Sequence, residues 1–232
     1  MSPSSPMIVF DLDGTLVDTA DDLIAALNHV LELEGATSVA RAAARHMVGH
    51  GARMLITRGL AADNRTVSAA RIEELFQAFI KYYSANIAVH SKVFPGVHEA
   101  LDKLATQGFG FAVCTNKYES ASRDLLAQMR LADRFSMICG QDTFAFCKPD
   151  PRTLLATIAA AGGDPLKSIM VGDSRTDIDT AKAAGVPVVA VDFGYTDQHV
   201  SVFGPSTVIS HYHELAPAVA LLLDKKVQTA AR

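Results

Sequence analysis

The 232 residues are 49% hydrophobic and 20% charged, the balance of a folded globular chain rather than a disordered one. A formal net charge of -4 with no Lys/Arg block argues against a nucleic-acid or anionic-membrane partner. No apolar run approaches the roughly 20 residues that a membrane-spanning helix requires. Three cysteines, Cys114, Cys139 and Cys147, lack metal-ligand spacing and suit a reducing cytoplasm. Residues 1–6 have neither the basic start nor the apolar core of a signal peptide and read as a loose arm.

The first element is an apolar run, Met7-Ile8-Val9-Phe10, the pattern of a strand buried on both faces of a parallel sheet. It stops at Asp11-Leu12-Asp13-Gly14-Thr15, which puts two carboxylates at the strand's C-terminal end, where ligands bind in open α/β sheets. The pattern then changes period. Residues 21–34, 38–47, 51–60 and 67–85 carry apolar residues at helical spacing, with Gly35 as a C-terminal stop. No strand is expected between residues 19 and 90.

From Val93-Phe94-Pro95-Gly96 onward helices and strands alternate. Helices are expected over 97–107, 119–130, 151–161, 176–184 and 213–224. Strands are expected over 109–114, 136–139, 168–171, 187–191 and near 207–209, with a frayed tail from Lys225. This alternation implies right-handed crossovers and a doubly wound, Rossmann-like parallel sheet. Residues 1–17 and 92–232 would build that core, and residues 18–91 an all-helical insertion hung on two adjacent linkers, the arrangement of a lid.

Three more strand ends carry polar residues. FGFAVC leads into Thr115-Asn116-Lys117, where a hydroxyl and successive backbone N–H groups suit phosphate oxygens, or alternatively cap a helix. Lys148, in CKPDP, is held extended by the following proline and offers a point charge, or else is a solvated loop lysine. SIMVGDSRTD places Asp173 directly after an apolar strand and Asp177 at the start of a helix. Capping would account for Asp177, yet leaves unexplained why a carboxylate follows a buried strand at Asp173. His211-Tyr212-His213 has no helical ligand spacing and reads as surface turn.

Taken together, MIVFDLDGTLVDT, Thr115 in VCTNK, Lys148 in CKPDP and Asp173/Asp177 in VGDSRTD resemble the four motifs of the haloacid dehalogenase superfamily, in order and position. The resemblance covers essentially the whole chain. It implies a five- or six-stranded sheet of order 5-4-1-2-3 that brings these strand ends together, with the helical insertion as the family's cap. It also implies that Asp11 is a nucleophile that becomes an aspartyl-phosphate and that Asp13 is a general acid and base. Mg2+ would be held by Asp11, the Asp13 carbonyl and Asp173. Thr115, Asn116 and Lys148 would bind the phosphoryl group, and Asp177 would order the metal's water or Lys148.

An acid at Asp13 favours phosphate chemistry over carbon–halogen cleavage. Within the superfamily the motifs VGHGA, VFPGV, TNK and GDSRTDIDTAKAAG are most similar to those of bacterial phosphoglycolate phosphatases. Hexose-phosphate phosphatases, pyrophosphatases and β-phosphoglucomutases share several of them. A carboxylate-bearing substrate would need a further cation, for which His50, Arg53 and Lys117 are candidates. The expected partner is a small phosphorylated metabolite, the expected state a monomer or homodimer.

Overall fold

A computed structural model describes residues 5–40, 47–48 and 51–230, for residues 225–230 the backbone alone. Strand β1 (Ser5–Phe10) leads to a two-residue strand β2 (Val17–Asp18) and helices α1 (Ala20–Leu33), α2 (Ala52–Ala62) and α3 (Ala69–Ala85). Strand β3 (Lys92–Val93) returns antiparallel to β2, so a short ribbon carries the chain out of the sheet region and back. Then follow α4 (Val97–Thr106), β4 (Gly110–Cys114), α5 (Glu119–Gln128), β5 (Met137–Cys139) and α6 (Pro151–Ala160). The chain closes with β6 (Gly163–Gly172), α7 (Arg175–Ala183), β7 (Val188–Val191), β8 (Thr207–Ile209) and α8 (Leu215–Ala230).

Among the described residues the main sheet runs β5-β4-β1-β6-β7-β8, all parallel. Counting only its own strands in chain order, this is 3-2-1-4-5-6: the expected succession, with a sixth strand added outside the fifth. β1 lies at the centre because its side chains are apolar on both faces. Ile8 and Phe10 pack with Leu101, Phe111, Phe135 and Val219, whereas Met7 and Val9 pack with Leu154, Ile158, Ile178 and Ala181. Helices α4, α5 and α8 thus cover one face, and α6 and α7 the other. Phe10 sits edge-on to Phe135 with ring centres 6.2 Å apart; burying one such side chain is worth roughly 1.5–3 kcal/mol.

The inserted helices pack on one another through Ile24, Leu27, Val30, Leu31, Leu55, Leu60, Phe76 and Phe79. α1 stops at Gly35, whose φ of +61° suits glycine, and whose N–H reaches the carbonyl of Glu32. α2 approaches α1 closely at Gly59, where a Cβ would stand 2.8 Å from Leu27 Cδ1.

The structure departs from expectation in three places. The helix expected over 38–47 does not form at 38–40. There Asn28 engages both the N–H and the carbonyl of Val39, at 2.9 and 3.1 Å, in place of a helical turn. Most of its remainder lies outside the described residues. β6 begins five residues earlier than its apolar run, since Gly163 pairs with Ser5 before residues 164–167 bulge out and pairing resumes at Ser168. Finally, α8 continues to Ala230 where a frayed tail was expected from Lys225. Cys114 and Cys139 are buried as expected of small core residues, and Cys147 is exposed.

Candidate active site

Because the sheet is parallel, the ends of β1, β4 and β6 open on the same side, and the insertion's α2 and α3 face them. Between lies a cavity of about 330 Å3. Asp11, Asp13, Thr115, Asn116, Lys117 and Asp173 line its floor; Arg53, Phe76 and Tyr83 line its roof.

Asp11 follows β1 directly, its N–H donating to the Val171 carbonyl of β6 at 2.9 Å. Asp173 ends β6. Asp177 opens α7 through a reciprocal cap, in which Ser174 Oγ and N–H donate to Asp177 Oδ2 at 2.6 and 3.1 Å. Oxygens of Asp11, Asp173 and Asp177 all come within 4.8 Å of one another. So close a packing leaves no room for side chains around it. A Cβ on Gly172 would meet Asp177 at 2.4 Å, and one on Gly14, at φ +79°, would meet Asp173 Oδ2 at 2.5 Å.

Lys148, buried at 4% exposure, is the cation nearest this cluster. Its Nζ donates to Asp177 Oδ1 at 2.6 Å and lies 3.0 Å from Asp11 Oδ1. The second contact is off the line of a hydrogen bond, so the buried Asp11 Oδ1 has a charge beside it but no directed donor. Asn116 Nδ2 donates to the Lys148 carbonyl at 2.9 Å and fixes the lysine's loop against the end of β4.

Three carboxylates around one ammonium are short of positive charge. Burial, with Asp177 and Asp11 adding to it, pushes Asp173 up to about 8. Burial likewise raises Asp11 to about 6, against the opposing pull of Lys148. Burial works against the charge of Lys148, but Asp11 and Asp177 outweigh it and hold the ammonium above its ordinary range. A buried carboxylate oxygen without a donor, among three acids that lack a matching cation, is the donor set of a hard divalent ion. The residues fit such an ion.

Asp13 stands apart from this cluster. Lys117 Nζ bonds both its oxygens, at 3.0 and 3.1 Å, and Thr19 Oγ1 donates to it at 2.7 Å. Thr115 is buried at the end of β4, its N–H held by the Cys139 carbonyl and its hydroxyl accepting from the Lys117 N–H at 3.3 Å.

The candidates for substrate selection separate. Lys117 is deep in the site, whereas the Arg53 side chain is half-exposed and bound to Glu73 through two hydrogen bonds of 2.9 and 3.0 Å. Arg53 also lies over the Phe76 ring at 3.5 Å. Its charge is therefore answered within the insertion. His50 lies outside the described residues. Asn116 is expected at the phosphoryl group, and it lines the cavity, but its side-chain amide is engaged by the Lys148 loop.

Two residues with no signal in the sequence complete the site. Tyr195, in the loop after β7, donates its N–H to Asp173 Oδ2 at 2.8 Å. Its hydroxyl bonds Asp18 Oδ1 at 2.7 Å and the Ala20 N–H at 2.9 Å, and also receives the Thr19 N–H. Asp22, buried in the first turn of α1, accepts from the N–H groups of His90 and Ser91 and from Ser91 Oγ at 2.6 Å. It pins the outgoing linker to the returning one.

A parallel sheet whose central strand ends in a buried aspartate, with an acid cluster at the strand ends and helices over the cavity, is the layout of a hydrolase of the Rossmann-like class. The family model for haloacid dehalogenase-like hydrolases matches residues 8–191, and the chain belongs to that family. It is 53% identical to a phosphoglycolate phosphatase of Mesorhizobium japonicum over 94% of this chain and 96% of that protein. A phosphoglycolate phosphatase of Agrobacterium fabrum is 44% identical over 99% and 98%. Among solved structures, a predicted phosphoglycolate phosphatase from Haemophilus somnus superimposes with a TM-score of 0.84 at 26% identity, covering 94% of this chain and 99% of that one. Among the described residues no helix is long and apolar enough to cross a membrane.

Proposed function

We propose that the chain is a cytoplasmic, Mg2+-dependent phosphomonoester hydrolase whose substrate is 2-phosphoglycolate. The observation that carries this reading is Asp11: a buried carboxylate at the end of the central strand, facing the cavity, with an ammonium 3.0 Å away and no directed donor on Oδ1. Phosphoryl transfer chiefly requires placement and charge neutralisation, and a carboxylate becomes a competent nucleophile toward phosphorus once nearby cations offset anion–anion repulsion. The names of its relatives support the substrate.

In the first step Asp11 forms a bond to phosphorus as the bond from phosphorus to the glycolate oxygen breaks, and Asp13 gives a proton to that oxygen. In the second, water attacks the aspartyl-phosphate and gives its proton to Asp13 while the acyl oxygen leaves phosphorus. Thr115 and Lys148 hold phosphoryl oxygens; Asp177 keeps Lys148 aimed. Asp11, the Asp13 carbonyl and Asp173 would hold Mg2+, which neutralises phosphoryl charge when bound. Residues 18–91 serve as the lid that excludes water.

The test is Mg2+-dependent phosphate release across 2-phosphoglycolate, hexose phosphates, nucleotides and pyrophosphate. The highest kcat/KM is expected for 2-phosphoglycolate; a hexose phosphate or nucleotide in that place overturns the assignment. Asp13→Ala is expected to slow an alkyl phosphate by about 10^2 to 10^4. Nitrophenyl phosphate, whose leaving group needs no proton, should lose far less. Equal losses on both would remove Asp13 from the role of acid.

A further inference from the structure

The carboxylate of phosphoglycolate is bound two bonds from the ester oxygen, so whatever recognises it must stand beside the group that protonates that oxygen. Lys117 does. Its Nζ donates to both oxygens of Asp13 and, at 2.7 Å, to the hydroxyl oxygen of Tyr83 in α3. Lys117 belongs to the sheet side of the cavity and Tyr83 to the helical insertion, so the contact spans the two walls. The ammonium also lies 4.3 Å from the Tyr83 ring centre. The Lys117 side chain is 7% exposed and Tyr83 is buried, so an anion brought here would meet both donors in a largely dry setting, where a charged hydrogen bond is strong.

Among the described residues, Lys148 and Arg53 are paired away from this corner of the site. Lys148 is taken by Asp11 and Asp177, and Arg53 by Glu73. Among the described residues the Tyr83 hydroxyl proton has no protein acceptor, although the ring lines the cavity. A buried donor without an acceptor carries a penalty that an incoming carboxylate removes. We propose that Lys117 and Tyr83 form the subsite for the leaving group's carboxylate, a reading that rests on the phosphatase assignment above. The substrate carboxylate takes the ammonium from Asp13 and the phenol proton from its idle position. Asp13, until then bonded through both oxygens to Lys117, is freed to face the ester oxygen. Selection and the placing of Asp13 thus share one ammonium. A substrate lacking the carboxylate leaves Lys117 on Asp13.

The test compares 2-phosphoglycolate with 2-hydroxyethyl phosphate, which keeps the ester and replaces the carboxylate by an alcohol. The unaltered enzyme is expected to favour the former by about 100-fold or more in kcat/KM. Lys117→Met is expected to abolish most of that preference, losing about 100-fold on 2-phosphoglycolate and less than about tenfold on the alcohol. Tyr83→Phe, which removes one oxygen and keeps the packing, should narrow the preference by about five- to tenfold. It carries the test alone if Lys117→Met does not fold. Equal losses on the two esters in the folded variants would overturn the subsite while leaving the substrate assignment intact. An unaltered enzyme active on the alcohol ester and inert on 2-phosphoglycolate would instead overturn the substrate assignment.

Discussion

Asp11→Asn is expected to lower phosphate release by at least about 10^4-fold with every substrate, without unfolding the protein. The amide keeps the shape of the carboxylate at the end of β1 but has no anionic oxygen to bond to phosphorus. No neighbour can replace it. Asp177 is held by Ser174 and Lys148, and Asp173 by Thr15 at 3.0 Å and the Tyr195 N–H. The covalent step supplies an independent readout, since hydroxylamine converts an acyl phosphate to a hydroxamate. Acid-quenched, unaltered enzyme should carry that mark at Asp11, and the variant should not. Substantial turnover by the Asn protein would end the covalent mechanism.

The second large effect joins metal, pH and stability. In the folded, metal-free chain Asp173 retains its proton up to about pH 8, whereas its ordinary value is 3.8. Asp11 behaves likewise up to about 6. Across that window the folded state binds more protons than the unfolded one, so these groups make stability fall as pH rises, and the loss is complete only above pH 8. A divalent ion meets Asp11 deprotonated and Asp173 about half so at pH 8, but must displace protons from both at pH 5.5. Saturating Mg2+, at about 100 times its dissociation constant, adds roughly 2.7 kcal/mol. For a chain of this size that raises Tm by roughly 5–10 °C. We expect this rise at pH 8 in chelator-treated protein, with a much smaller rise at pH 5.5 for the same added Mg2+. A shift as large at pH 5.5 would mean that the ion binds elsewhere.

Much of the sheet and the cluster was legible in the sequence because buried parallel strands leave unbroken apolar runs. A polar residue placed directly after such a run stands at a strand end. Asp11 and Asp173 were readable in that way; Thr115 and Lys148 stayed open, as a helix cap and a solvated loop lysine, until the family resemblance drew them to the site. What escaped depends on partners distant in the chain. The ribbon of Val17–Asp18 with Lys92–Val93 is too short to have a period. The break at Val39 depends on an asparagine eleven residues earlier. Arg53 looked available because nothing nearby in sequence announced Glu73, one helix on. The pairing of Lys117 with Tyr83 joins residues far apart in the chain, and only folding brings them together.

Tyr195 has a consequence for how this enzyme responds to its surroundings. One end of the residue bonds an acid of the carboxylate cluster, and the other bonds the three residues that lead into the first inserted helix. A cation that repositioned Asp173 would therefore shift the start of the inserted helices, and a displacement of those helices would alter Asp173 in return. Thermodynamic reciprocity makes the two influences equal in size. Ion loading and shutting of the chamber should thus be cooperative, with an empty ion site leaving the chamber more readily ajar.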